Sequence, residues 1–294
     1  MSFKSGFVAV VGRPNVGKST LLNALIGQKV VIVSDKPQTT RNTIQCILTK
    51  DDSQIVFLDT PGIHEPLHKL GEYMVKVAIN ALQEVDVVLF LVEAGRWTKL
   101  EDRIVEYLNK VDSPIILGIN KSDLVTVEEL SEFQKEIESK LAFNQIISFS
   151  AINHCNLDVL VSSIVKLLPE GPKYYPDDWV VDHPERFIVA EFIREQILLN
   201  THQEIPHSVA VDVDEMVNDE TKDLVRIRAT IYLERDSQKG IVIGKQGRML
   251  KTIGTGARHQ IEALLGTQVY LDLWVKVNKD WRNKARMLKS LGYE

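Results

Sequence analysis

The glycine-rich octet at residues 12–19 is followed by Thr20 and reads Gly12-Arg13-Pro14-Asn15-Val16-Gly17-Lys18-Ser19. It matches the phosphate-binding pattern G-x-x-x-x-G-K-S/T, in which backbone N–H groups surround phosphate oxygens. The apolar segment 7–11 before it predicts a buried parallel strand, and segment 20–26 predicts a helix that ends at Gly27. Strand, loop and helix N-terminus together predict a nucleotide-phosphate site over residues 12–20, with Lys18 on the β- and γ-phosphates and Ser19 on Mg²⁺.

A second apolar strand, predicted over residues 55–58, ends in Asp59-Thr60-Pro61-Gly62. A carboxylate at this strand end suits the coordination shell of Mg²⁺, and a glycine N–H suits the γ-phosphate. Open α/β sheets bind their ligands at the carboxyl ends of the strands. We therefore expect these four residues to complete the phosphate and metal site.

Two more strand ends indicate which base the nucleotide carries. Segment 115–119 ends in Asn120-Lys121-Ser122-Asp123, and segment 146–149 ends in Ser150-Ala151. The Asp123 carboxylate can accept two parallel hydrogen bonds from the N1–H and 2-amino groups of guanine, a donor pair that adenine lacks. A backbone N–H of the 150–151 pair is expected to meet the guanine O6. Each motif alone is weak, but the four in this order predict a GTP/GDP site on a mostly parallel α/β sheet flanked by helices.

This set of motifs resembles the translation-factor-related GTPases, and the octet with Gln38-Thr39-Thr40-Arg41 is similar to their Era-type branch. The resemblance implies a first nucleotide-sensing loop over residues 33–43 and a second that begins at Asp59. It also implies that Thr40, rather than Thr39, supplies the second hydroxyl on Mg²⁺.

Ile63 follows Gly62 at the position where Ras-like enzymes have a glutamine that orients the attacking water. An isoleucine cannot hydrogen-bond water, so we expect slow intrinsic GTP hydrolysis until another group completes the site. The resemblance offers one candidate, a potassium ion held by Asn15. The expected catalytic set is Lys18, Thr40, Gly62 and Asn15.

Length and composition favour a two-domain globular protein. The chain has 294 residues, of which 44% are hydrophobic and 26% charged, and a formal net charge of −5. These values suggest neither disorder nor a membrane span, and they argue against polyanion binding over the whole surface. The two cysteines, Cys46 and Cys155, lie far apart without metal-like partners, which predicts reduced thiols and a cytoplasmic location.

One motif is expected to be misleading. His64-Glu65-Pro66-Leu67-His68 matches the H-E-x-x-H zinc-protease pattern, which requires both histidines on one continuous helix. Pro66 favours an extended residue before it and so breaks that geometry. We therefore expect no zinc site here.

The clearest break in the chain is the segment 168–176, which holds three prolines and a glycine. It predicts a GTPase domain over 1–170, a semi-rigid linker over 171–183 and a second domain over 184–294. The pattern of the second domain predicts the order helix, strand, strand, helix, helix, strand. The first helix opens at Pro184, a polar turn over 218–223 joins the two strands, and separate helices begin near Arg248 and at Ala257.

This order, with Gly244-Lys245-Gln246-Gly247 between helices, resembles a KH domain of the bacterial type II topology, an α+β fold. A G-x-x-G loop allows close backbone approach and clamps about four single-stranded nucleotides. Basic side chains near the loop would meet phosphates. The expected RNA-binding residues are Lys239, Gly244, Lys245, Gln246, Gly247, Arg248, Lys251 and Arg258.

The combination of a GTPase domain and a type II KH domain resembles the Era-type GTPases over essentially the whole chain. The resemblance implies a monomer that binds 16S ribosomal RNA near its 3′ end and acts on the precursor of the 30S subunit. Peripheral association with the inner membrane is implied by the resemblance alone. Two alternatives remain open: a GTPase scaffold whose second domain binds protein, and a P-loop ATPase or small-molecule kinase.

Overall fold

The computed structural model describes residues 2–36, 38–202, 205–219 and 223–293. The chain forms two compact units. The first contains the N-terminal residues to Val31, Thr40–Pro66 and Gly71–Asp182; the second contains Ile32–Thr39, Leu67–Leu70 and the chain from His183 onward. Among the described residues, no helix has the length and apolarity needed to span a bilayer.

The first unit is an α/β sheet flanked by helices, which confirms the predicted class. Its described strands lie in the order β6-β5-β4-β1-β3-β2-β7; β1 pairs in parallel with β3 and β4, and β2 runs antiparallel to β3. Its elements, in chain order, are β1 (Lys4–Val11), α1 (Lys18–Ile26), β2 (Ile44–Thr49), β3 (Ser53–Asp59), α2 (Lys69–Asn80), β4 (Val87–Glu93), α3 (Lys99–Leu108), β5 (Ile115–Asn120), α4 (Val127–Glu138), β6 (Gln145–Ser148), α5 (Leu157–Leu167) and β7 (Val181–Asp182).

The apolar strands form where the sequence predicts them because they are buried on both faces of the sheet. In β4, for example, residues 87–92 are fully buried. Helix α1 ends at Gly27, whose N–H donates to the Asn23 carbonyl and whose left-handed backbone turns the chain out of the helix. Parallel pairing of β1, β3, β4, β5 and β6 then places the ends of the motif-bearing strands at one edge of the sheet.

The segment predicted as a linker is ordered within the first unit. Gln54 holds it: the Gln54 Oε1 accepts the N–H groups of Tyr174 and Tyr175 at 2.7 and 3.0 Å, and its Nε2 donates to the Tyr175 carbonyl at 2.9 Å. Strand β7 then pairs antiparallel with β2. Prolines predicted a linker here, but the side-chain amide of Gln54 binds the backbone of Tyr174 and Tyr175 and so helps to order the segment.

The second unit is an α+β fold with three paired strands in the order β10-β9-β8 among the described residues. Strand β9 runs antiparallel to β8 and parallel to β10. The types of element follow the expected order, but the two helices before β10 differ from those predicted, and two short helices are additional. Its elements are α6 (Glu185–Asn200), α7 (Ile205–Ser208), β8 (Ala210–Asp219), β9 (Leu224–Leu233), α8 (Asp236–Ile243), α9 (Arg248–Leu265), β10 (Gln268–Val277) and α10 (Ala285–Ser290).

The two helices predicted from Arg248 and from Ala257 are in fact one, α9, and the helix before the G-x-x-G loop is α8. The helix continues through Gly254 and Gly256. Gly256 permits close packing, because a Cβ there would lie 2.3 Å from Gln196 Oε1 of α6. Half of the predicted turn over 218–223, residues 220–222, lies outside the described residues, and residues 218–219 belong to β8.

Candidate nucleotide and RNA sites

Three predicted metal ligands converge in the first unit. Ser19 and Thr40 donate hydrogen bonds to Asp59 Oδ2 at 3.0 and 3.2 Å, and their hydroxyl oxygens are 3.2 Å apart. Asp59 is fully buried, and its Oδ1 accepts no hydrogen bond from any described residue. Two hydroxyls and a carboxylate with one unsatisfied oxygen form a hard-oxygen donor set that fits Mg²⁺.

The two adjacent threonines have different roles. Thr40 is buried and points to Asp59, whereas the Thr39 hydroxyl donates to the Lys36 carbonyl at 2.6 Å. Thr39 also belongs to the second unit, where its carbonyl accepts a hydrogen bond from Arg194. The geometry therefore favours Thr40 as the hydroxyl available to a metal.

Lys18 lies inside the phosphate loop, where its Nζ donates to the carbonyls of Gly12 and Arg13 at 3.1 and 3.2 Å. Burial lowers its pKa to about 8, although the Asp59 charge acts in the opposite direction. Burial also raises the pKa of Asp59 to about 6, against the opposing effects of Lys18, Ser19 and Thr40. The site therefore holds two ionisable groups of opposite sign: Mg²⁺ would stabilise the charged form of Asp59, and phosphate would stabilise that of Lys18.

The Asp59-Thr60-Pro61-Gly62 turn is fixed against the strands and the phosphate loop. The buried Thr60 hydroxyl donates to the Val10 carbonyl at 2.7 Å, so Thr60 can reach a ligand only through its backbone. A Cβ at Gly62 would lie 2.7 Å from the Pro14 backbone nitrogen, so this approach needs glycine. Ile63 is buried in the core, which removes its side chain from any role with water.

Asn120 joins three of the predicted nucleotide-binding segments. Its Nδ2 donates to the Val16 carbonyl at 2.8 Å, and its Oδ1 accepts the N–H groups of Lys121 and Ala151 at 2.8 and 3.0 Å. Asp123 lies on the surface of the short 3₁₀ turn that follows. The arrangement brings Asn120, Lys121, Ser150 and Ala151 together and leaves the Asp123 carboxylate exposed for a base.

The remaining loop residues divide by exposure. Asn15 has a left-handed backbone and an exposed side chain, and Pro14 is half-buried. The Arg13 side chain is held by the carboxylates of Glu93 and Glu101, two residues that no motif had singled out. The backbone of Arg13 is therefore the part that can contribute to phosphate binding.

The structure gives no support to a zinc site at the H-E-x-x-H match. His64 and His68 both precede α2, which begins at Lys69, so they do not share a helix. His64 Nδ1 lies 2.8 Å from the Gly62 carbonyl oxygen. Within the described residues no group of three or more His, Cys, Asp or Glu side chains is placed to hold a metal.

The predicted RNA-binding residues lie along α8, the G-x-x-G loop and α9. Lys245, Gln246 and Arg248 are exposed at the loop, and Lys239 is half-buried on α8. Gly247 has a left-handed backbone, and a Cβ there would have no neighbour within 4 Å. An open surface therefore lies in front of this loop.

Beside the loop runs a groove of about 430 Å³ between α9 and β10. Of the predicted cations, Lys251 and Arg258 line it. Sequence reasoning missed its other wall, because the contact between α9 and β10 is tertiary; an exposed tyrosine in β10 was the available signal. The lining residues are Gly247, Leu250, Lys251, Gly254, Thr255, Arg258, Val269, Tyr270, Leu271 and Leu273.

Comparison with known proteins matches a family model to each of the two parts of the chain that hold the candidate sites. Residues 7–121 match the family model described as 50S ribosome-binding GTPase, and residues 204–282 match the KH domain. The chain is 56% identical to the GTPase Era of Alkaliphilus metalliredigens, and to that of Alkaliphilus oremlandii, over the full length of each. The chain belongs to the Era family of GTPases.

Two solved Era structures superpose on this family member with a TM-score of 0.96, each covering 99% of both chains. One, at 41% identity, is Era with MgGDPNP and nucleotides 1506–1542 of 16S ribosomal RNA. The other, at 40% identity, is a single-residue variant of Aquifex aeolicus Era bound to GDP·AlF₄⁻. The GTPase activity expected from the motifs is confirmed by this family membership.

Proposed function

We propose that this chain is a Mg²⁺-dependent GTP switch that binds the 3′ region of 16S ribosomal RNA and acts in assembly of the 30S subunit. The convergence of Ser19 and Thr40 on Asp59 carries the nucleotide half of the proposal. When bound, Mg²⁺ would neutralise phosphate charge at these oxygens. Lys18 would bind the β- and γ-phosphates, and the Gly62 N–H would bind the γ-phosphate.

The groove beside the G-x-x-G loop supports the RNA half. The groove combines a glycine loop that an RNA backbone can approach closely with two exposed cations, Lys251 and Arg258. It also contains an exposed aromatic ring, that of Tyr270. The loop is the feature by which KH domains clamp single-stranded nucleotides, and cations and stacking rings are general features of single-strand binding. The solved relative with 16S nucleotides 1506–1542 indicates which RNA to test.

Fluorescence anisotropy with a labelled RNA of that 16S segment tests this proposal directly. We expect tighter binding than to a scrambled RNA of equal length, and weaker binding as salt rises. Equal affinity for both RNAs would contradict a ribosomal RNA target. No binding to either would favour the alternative in which the second unit binds protein.

We also propose that nucleotide state and RNA affinity are coupled through the segment 32–39. This segment belongs to the second unit, where Glu195 Oε1 accepts the Val33 N–H at 2.8 Å. Glu195 Oε2 accepts from Gln260 of α9 at 2.9 Å. Thr40, which directly follows the segment 32–39, belongs to the first unit and donates a hydrogen bond to Asp59 there. RNA affinity should therefore differ between the GTP-analogue and GDP states, and identical values would remove the coupling.

Because Ile63 is buried, another group must complete the hydrolytic site. We propose K⁺ held by Asn15, which would supply positive charge as an arginine finger does. Turnover should fall when K⁺ is replaced by Na⁺, and Asn15→Ala should abolish the difference. Equal turnover in both salts would contradict this role.

We further propose a cytoplasmic monomer that associates peripherally with the inner membrane, as the family resemblance implies. Light scattering tests whether the protein is a monomer in solution. Co-sedimentation with anionic vesicles, compared with neutral vesicles, tests the membrane association.

A further inference from the structure

Arg13 of the phosphate loop is clamped by two carboxylates. Its Nη2 donates to Glu93 Oε2 at 2.5 Å, and its Nε lies 2.7 Å from Glu101 Oε1. The second contact is ionic rather than a directed hydrogen bond, because the N–H does not point at the oxygen. The guanidinium is therefore neutralised within the protein instead of serving as a phosphate-binding charge.

The two carboxylates differ in what else they hold. Glu101 is fully buried, and its Oε2 accepts the backbone N–H and the hydroxyl of Thr98 at the start of α3. It therefore anchors Arg13 to a helix cap, away from the nucleotide-binding loops. Glu93, in contrast, has a second oxygen that faces one of those loops.

Glu93 Oε1 lies 3.3 Å from Lys121 Nζ. Strand register brings this about: Glu93 ends β4 and pairs with Asn120, which ends the parallel neighbour β5, and Lys121 follows. Burial opposes ionisation of Glu93, but the hydrogen bond from Arg13 and the charge of Lys121 outweigh it, so the pKa of Glu93 lies below its ordinary value. The carboxylate is thus ionised and shared between the two loops at neutral pH.

We propose that Glu93 is a positioning residue for guanine nucleotides, whose carboxylate ties Arg13 of the phosphate loop to Lys121 of the guanine loop. A nucleotide must touch both loops at once, so a fixed spacing between them lowers the ordering cost of binding. This inference rests on the nucleotide site of the proposed function. It adds a link outside the GTPase motifs and parallel to the one that Asn120 makes with Val16.

A double-mutant cycle tests the link. Dissociation of a fluorescent GDP is measured for the wild type, Glu93→Gln, Lys121→Gln and the double variant. We expect Glu93→Gln to accelerate dissociation about fivefold, the scale of a partly exposed ion pair. Since the effect passes through Lys121, the double variant should dissociate at nearly the rate of Lys121→Gln alone. Glu106→Gln, an exposed charge change on α3, is the matched control and should not change the rate.

Two results would overturn the proposal: an unchanged rate in Glu93→Gln, or effects of the two substitutions that multiply. If Glu93→Gln does not fold at 25 °C, Glu93→Asp replaces it, because the shorter side chain keeps the charge but withdraws from Lys121. Coupling between that variant and Lys121→Gln supports the link, and multiplicative effects reject it. Failure of the proposed function itself would look different, since the wild type would then bind no fluorescent GDP.

Discussion

In the nucleotide site the side chains that join the loops, Asp59 and Asn120, are buried and hydrogen-bonded, and Asp123 alone of the base-reading residues is exposed, whereas the cations beside the RNA groove are exposed. Asp59 accepts hydrogen bonds from Ser19 and Thr40. Asn120 donates to the Val16 carbonyl and accepts the Ala151 N–H. Lys245 and Lys251 are exposed side chains near Gly244 and Gly247, the two glycines of the G-x-x-G loop. The first site is arranged for directed bonds to one ligand, and the second for charge and close backbone approach.

This difference predicts two kinds of response to substitution. In the nucleotide site, loss of one atom should leave a partner unsatisfied and change affinity or selectivity sharply. In the groove, loss of one charge should weaken RNA binding modestly. Steric or electrostatic obstruction of the G-x-x-G loop should lower RNA affinity the most. Four experiments follow, from the largest expected effect to the smallest.

Asp123→Asn should have the largest effect. The amide cannot accept both guanine hydrogen bonds, so GDP affinity should fall by about 10³-fold or more, while affinity for XDP rises. Competition against a fluorescent nucleotide measures both. Asp123 is exposed, so the fold should persist; Asp112→Asn, an exposed acid in the same unit, is the control. Retained preference for GDP would show that Asp123 does not read the base.

Gly247→Asp should lower RNA affinity about 100-fold and leave GDP affinity unchanged. The position has φ 76° and open space around its Cβ site, so the carboxylate adds charge where phosphates approach with little steric conflict in the fold. Gly292→Asp has the same backbone angle and the same free space, and serves as control. If both variants bind RNA like the wild type, the G-x-x-G loop does not hold the RNA.

The same contrast explains which features the sequence predicts. The phosphate loop is recognisable because its glycines and Lys18 act within one short segment, where spacing determines geometry. The groove wall at Tyr270 depends on the packing of α9 beside β10, and the clamp of Arg13 by Glu93 depends on the pairing of β1 with β4; no local pattern reports either. They were missed for that reason.

Two errors in the fold have a related cause. The separate helix predicted from Ala257 is part of α9, which continues through Gly254 and Gly256; packing against Gln196 offsets the low helix propensity of glycine there. Prolines suggested a semi-rigid linker without regular structure over 171–183, yet Gln54 and β2 order parts of it. In both cases tertiary contacts prevail over local propensity.

Thr40→Ala should weaken Mg²⁺ binding about tenfold in the GTP-analogue state, because it removes a hydroxyl from the three-residue donor set. Thr39→Ala is the control, since that hydroxyl bonds the Lys36 carbonyl instead. Titration of Mg²⁺ with a fluorescent GTP analogue measures both. A larger effect from Thr39→Ala would reverse the assignment of the two threonines and would show that the buried network is not organised around Asp59 as described.

Lys251→Gln should have the smallest effect, a loss of RNA affinity of about threefold at moderate salt. Because one phosphate contact disappears, the slope of log affinity against log salt should fall by about 0.7, the value for one charge on a single strand. Lys276→Gln removes an exposed charge from β10 without touching the groove and should leave the slope unchanged. Equal slopes for both variants would mean that the groove does not hold the RNA backbone. A loss of RNA affinity as large as that of Gly247→Asp would mean that Lys251 makes a buried, directed contact with the RNA. The nucleotide site and the RNA groove would then differ less than the exposure of their side chains indicates.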